Sequence, residues 1–228
     1  MQNVRIMDCR ALLERGKSAT ILIRLMMALN DLSLADDGLH VWSQEPSRLR
    51  KERQVGARMY FVRLQFSHLV EGLTIVEDFK ADNALMTELS RCAANTQRAF
   101  EVLDAFLTDK LRRQTFNEVA EQMRCNLTFH YDEGGKLLSA ALKRHVEKFP
   151  QRGSTITRGR GGAILWYFAL PDELIDNIVV RRFVKVPEGT DEEGKRMKTD
   201  DAIVQVQEVQ KLFANFAAAA LEDMLKFQ

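Results

Sequence analysis

The sequence predicts a mainly α-helical protein, an antiparallel helical bundle with a small β-hairpin insertion and a C-terminal helix. Three observations predict it. Apolar residues recur at three- and four-residue spacing along most of the chain, β-prone runs are confined to 154–169, and glycine or proline stands where the helical rhythm stops. With 228 residues, 46% of them hydrophobic, the chain can close a core around several long helices. One domain is expected over 1–228, with a bundle core at 18–148, a hairpin and short helix inserted at 151–186, and the C-terminal helix at 200–228.

A first helix is expected between Ser18 and Ala35, where Ile21, Leu22, Leu25, Met26, Leu29 and Leu32 form one apolar face. The polar stretch around Asp36, Asp37, Gly38 and Pro46 reads as its end. A long second helix runs from about Arg48 to Phe79 through Val55, Met59, Val62, Leu69, Leu73 and Val76. Asp82 or Asn83 can cap a third, which carries Leu85, Leu89, Phe100 and Leu103 to an end near Thr108 or Asp109. Phe116, Val119, Ala120, Met123 and Leu127 mark a fourth, stopped near Asp132 by Gly134 and Gly135, and a fifth spans Lys136 to Lys148 before Pro150.

The period then shortens. Ser154 to Thr157 and Ala163 to Ala169 read as a hairpin around a turn that holds Arg158, Gly159, Arg160, Gly161 and Gly162. Pro171 suits the first turn of a short helix, with Asp172 and Glu173 at its positive end, and Val179 to Val186 also leans to helix. Pro187 to Asp200 is polar and dense in charge, so an exposed, mobile loop is expected there. From Asp201, Ile203, Val206, Val209, Phe213 and Phe216 give the terminal amphipathic helix, with Ala217 to Ala220 allowing close packing.

Charge narrows the function classes. Charged residues make up 29% of the chain yet leave a formal net charge of +1, so no global field recruits nucleic acid or an anionic membrane, and any RNA contact needs a local patch. The basic cluster Arg48, Arg50, Lys51, Arg53 and Arg58 is either such a patch or a solvated face balanced by Glu45 and Glu52. Arg158 and Arg160 in the glycine-rich turn could grip a phosphate, but turn geometry already accounts for the glycines around them. The three cysteines, Cys9, Cys92 and Cys125, are odd in number and lie in helical segments, which argues for a reducing, cytoplasmic setting. No signal core and no run of about eighteen consecutive apolar residues is present, so no membrane association is expected. Neither a phosphate loop, a dinucleotide-binding glycine pattern, a nucleophile elbow nor zinc-ligand spacing occurs, and the four histidines are scattered, so neither metal nor cofactor is assigned.

One local run stands out: Met123-Arg124-Cys125-Asn126-Leu127-Thr128-Phe129-His130-Tyr131-Asp132, late in the bundle. It resembles the HEPN family over the bundle region, 18–148. Arg124 and His130 stand with five residues between them, as in the arginine-to-histidine motif of that family's ribonucleases. Asn126 falls one place later than the polar residue of the motif, and Cys125 takes that residue's place. A second pair, Arg63 and His68, has the spacing without the surroundings.

The resemblance implies a helical bundle, often dimeric, and metal-free cleavage of RNA in a defence or toxin–antitoxin setting, with an antitoxin partner of unknown identity. It makes Arg124 and His130 the catalytic pair, His130 as general acid or base and Arg124 as a phosphate clamp, with Asn126 and Tyr131 contacting substrate. On a straight helix Asn126 and His130 share a face, while Arg124 and His130 are separated by a rotation of about 240°. Either the helix unwinds after Phe129 or two copies pool their residues across a symmetric homodimer, the preferred reading. The rival is a non-catalytic dimerisation or ligand-binding module, in which His130 packs or caps a helix end and Arg124 pairs with Glu118 or Glu121.

Overall fold

The computed structural model describes residues 5–43, 48–123, 135–151, 153–157, 167–179, 186–187 and 189–225. Among them the fold is mainly helical, as the apolar periodicity predicts. In chain order the helices are α1 (Cys9–Leu13), α2 (Lys17–Ser43), α3 (Arg48–Ala81), α4 (Asn83–Leu89), α5 (Ala94–Thr108), α6 (Lys110–Met123) and α7 (Lys136–Lys148). Strands β1 (Ile156–Thr157) and β2 (Tyr167–Phe168) follow, then α8 (Ala169–Ile178) and α9 (Glu192–Met224). The strands pair antiparallel, Ile156 opposite Phe168 and Thr157 opposite Tyr167, within the segments expected to form the hairpin.

The chain divides into two compact units. The first takes the described residues of Met1–Ser33, His68–Phe116 and Gln205–Gln228, and the second those of Leu34–Ser67 and Asn117–Val204. α2, α3, α6 and α9 therefore each contribute a part to both.

In the first unit the apolar face of α2 is buried at Leu22, Leu25 and Leu32, and that of α3 at Leu69, Leu73, Val76 and Phe79. Phe79, Phe100 and Phe216 form a ring cluster: Phe79 and Phe216 meet edge to face at 5.3 Å, and Phe100 lies 5.3 Å from Phe216. Gly72 lets α9 approach α3 there, since a Cβ would stand 2.8 Å from the ring of the fully buried Phe213. Ala217 and Ala220, from the alanine block, are fully buried beside it in sequence. By length and composition Lys17–Val41 of α2 could cross a membrane; 39% of that apolar window is buried inside the protein, Leu22 and Leu25 completely.

Polar groups complete this unit. Asp82 is the N-cap of α4, its Oδ1 accepting from the Ala84 and Leu85 amides at 2.9 and 3.0 Å, while Ser18 donates to its Oδ2 at 2.9 Å. Those bonds, the Leu85 amide foremost, together hold the Asp82 carboxyl below its ordinary value against the opposing effect of burial, which outweighs the Ser18 or the Ala84 bond taken singly. Arg15 grips both oxygens of Glu88 at 2.5 and 2.8 Å and also donates to the Met224 carbonyl in the last turn of α9. The Asp223 carboxylate accepts from the Ala93 amide and the Thr96 hydroxyl at 2.8 and 2.7 Å, capping α5 from a distant part of the chain.

The second unit buries Val62 and Phe66 of α3, Ala120 of α6, Ala141 of α7, and Leu174, Ile175 and Ile178 of α8. Gln65 donates to Asp36 at 3.1 Å, and α7 packs on α8. Gly56 is buried under α8 and β2: a Cβ there would overlap the Asp172 carboxylate and the Tyr167 hydroxyl.

Three expectations are corrected, and one element is added. α2 does not stop at Ala35 but continues through Asp36, Asp37 and Gly38 to Ser43. Gly38 serves packing there, because a Cβ would overlap the Phe61 ring. The single third helix is two, α4 and α5, with a turn at Ser90–Ala93 closed by the Arg91 and Cys92 amides on Glu88 and Leu89. Asp223 stabilises that break, and so does Gln97, whose amide donates to the Cys92 carbonyl at 2.8 Å. The expected mobile loop at 187–200 is helical from Glu192, because Asp191 accepts from the Gly194 amide at 2.8 Å and caps α9 nine residues before Asp201. The N-terminal segment, for which no element was expected, forms α1, capped by Asp8.

Candidate functional site

The arginine-to-histidine motif lies between α6 and α7. α6 starts at a cap formed by Asp109, whose Oδ1 accepts from the Leu111 and Arg112 amides at 3.1 Å, and is described to Met123. α7 starts after Gly135, which holds the left-handed φ of +65° that glycine tolerates best. Arg124, Asn126, His130 and Tyr131 all fall outside the described residues, as do Cys125 and the turn arginines Arg158 and Arg160. Of the basic cluster, the backbone of Arg48 to Arg58 is helical in α3, and the side chains of Arg48, Arg50, Lys51, Arg53 and Arg58 are likewise outside the description.

The second arginine and histidine pair has structural engagements. Arg63 is buried, its Nε donating to the Met59 carbonyl of its own helix at 3.3 Å. The His68 imidazole sits 3.5 Å from the Asp31 carboxylate.

Around α7 and α8 the described side chains form a polar cluster that no sequence motif announced. The Glu173 carboxylate lies between two partners, Ser154 Oγ at 3.5 Å and His145 Nε2 at 3.7 Å. Tyr167 donates to Asp172 at 2.6 Å. The carboxylate stands between hydroxyl and imidazole, whereas a relay that activates a serine needs the imidazole in the middle, so this arrangement links α7 to α8 and does not generate a nucleophile. The signal in the sequence was slight, a histidine in the last turn of one helix and Asp172 in the first turn of another, with Glu173 next to it. Arg144 Nε and Asn177 Oδ1, on the same two helices, are buried without a hydrogen-bond partner, a polarity that a bound water can satisfy.

A pocket of about 290 Å³ in the first unit is lined by Asp8, Ala11, Leu12, Glu14, Arg15, Glu88 and Leu225. Three of its charged groups already serve the fold, since Asp8 caps α1 and Arg15 is held by Glu88 and the Met224 carbonyl. Nearby, the Cys92 thiol is pushed above its ordinary value by burial and by the Asp223 and Glu88 carboxylates, with Arg15 opposing them. No group of three or more His, Cys, Asp or Glu side chains able to hold a metal occurs among the described residues.

Set against known proteins, the chain matches no family model, no curated protein and no solved structure.

Proposed function

We propose that this chain is a metal-independent endoribonuclease of HEPN type, acting in the cytoplasm as a homodimer in a defence or toxin–antitoxin setting. The observation that carries the reading is the run from Arg124 to Asp132, an arginine and a histidine with five residues between them, Asn126 beside them, and an aromatic pair flanking the histidine. A mainly helical fold among the described residues is compatible with that family.

His130 takes the proton of a ribose 2′-hydroxyl because an imidazole titrates near working pH. The 2′-oxygen then attacks the adjacent phosphorus, and the bond to the 5′-oxygen breaks as that oxygen gains a proton. The products are a 2′,3′-cyclic phosphate and a 5′-hydroxyl. Arg124 holds the non-bridging oxygens through a planar, permanently charged fork that stabilises charge as it develops, while Asn126 and Tyr131 position the substrate.

Purified protein incubated with mixed RNA in EDTA is expected to yield cyclic phosphate ends, and a folded His130→Ala variant is expected to lose at least 100-fold in rate, the low end of a general acid–base contribution of about 10²–10⁴. Unchanged cleavage by His130→Ala removes the histidine from the mechanism. A parent protein without cleavage leaves the non-catalytic dimerisation or ligand-binding module.

A further inference from the structure

We draw no further inference here: the strongest candidate, the stripe of exposed apolar side chains Ile23, Met27, Leu34 and Val41 along α2, is an unpartnered apolar face, and nothing in the structure shows what covers it.

Discussion

The two compact units are built from the same kind of helix yet are held differently. Among the described residues, the first unit joins helices distant in sequence through charged side chains: Arg15 to Glu88, Arg24 to Asp78 at 2.6 Å, Lys80 to Asp104 at 2.5 Å, and Asp223 to the start of α5. In the second, the described side-chain contacts include Gln65 to Asp36 at 3.1 Å, Tyr167 to Asp172 at 2.6 Å, and the longer approaches of Ser154 and His145 to Glu173 at 3.5 and 3.7 Å. The exposed pairs of the first unit, such as Arg24 and Asp78, contribute at most about 1 kcal/mol each. The difference therefore lies in the capped helix ends and the aromatic cluster, where removing a group leaves buried surface or backbone unsatisfied. The proposed ribonuclease motif falls in the second unit's share of the chain, Asn117–Val204.

Substitutions can break or sharpen that contrast. The largest effect is expected from Phe216→Ala, which empties the site where three rings meet and should cost about 3–5 kcal/mol, read from chemical denaturation. A loss below about 1 kcal/mol would show that the ring cluster does not anchor the first unit. Next come two glycines. Gly72→Ala forces a methyl against the enclosed Phe213 and should destabilise by about 1–3 kcal/mol, despite the helix preference alanine brings. Gly38→Ala meets the half-buried Phe61, which can swing away, so its cost should be smaller, and the reverse order of the two melting temperatures would overturn the contrast.

Asp223→Ala uncaps α5 and should cost about 1 kcal/mol, with faster amide exchange confined to the first turn of that helix. Asp82 gives the pH dependence. Its carboxyl titrates lower in the folded chain than in the unfolded one, so the stability it adds is present above its ordinary value of 3.8 and is lost as pH falls through the lowered one. In Asp82→Asn, stability should fall at neutral pH and decline less steeply in acid, and parallel pH profiles for parent and variant would remove this group from acid unfolding. The smallest effect concerns thiols: the exposed Cys9 should alkylate faster than Cys92, and Asp223→Asn should speed Cys92 by removing a carboxylate that raises it. Mass spectrometry of alkylated peptides reads both rates.

Elements with local punctuation were legible in the sequence. α7 runs from Lys136 to Lys148 as expected because Gly135 and Pro150 bracket it, and Asp82 caps α4 because its side chain bonds amides two and three residues on. The turn that splits α4 from α5 was not legible, since one of its ties, Asp223, lies 130 residues away from Ala93. Gly38 was misread for the same reason, its function being set by Phe61 on another helix. The start of α9 is hidden differently: the Asp191 cap is local, but a polar, charge-dense segment reads equally well as an exposed loop. The candidate site was legible as residue types in order, Arg124, Asn126, His130 and Tyr131. Convergence is not readable there, because two side chains six residues apart diverge on a straight helix and only the path of the backbone or a partner copy can bring them together.

The first unit is discontinuous, and its aromatic cluster takes Phe79 from α3, Phe100 from α5 and Phe216 from α9. A nascent chain that has emerged as far as Val204 thus carries the sockets for Phe213 and Phe216 open to solvent, and must hold its earlier helices without misassociation until the rest of α9, from Gln205, arrives. Closing such distant segments is slow compared with helix formation. Synthesis and folding of the first unit are therefore coupled at α9.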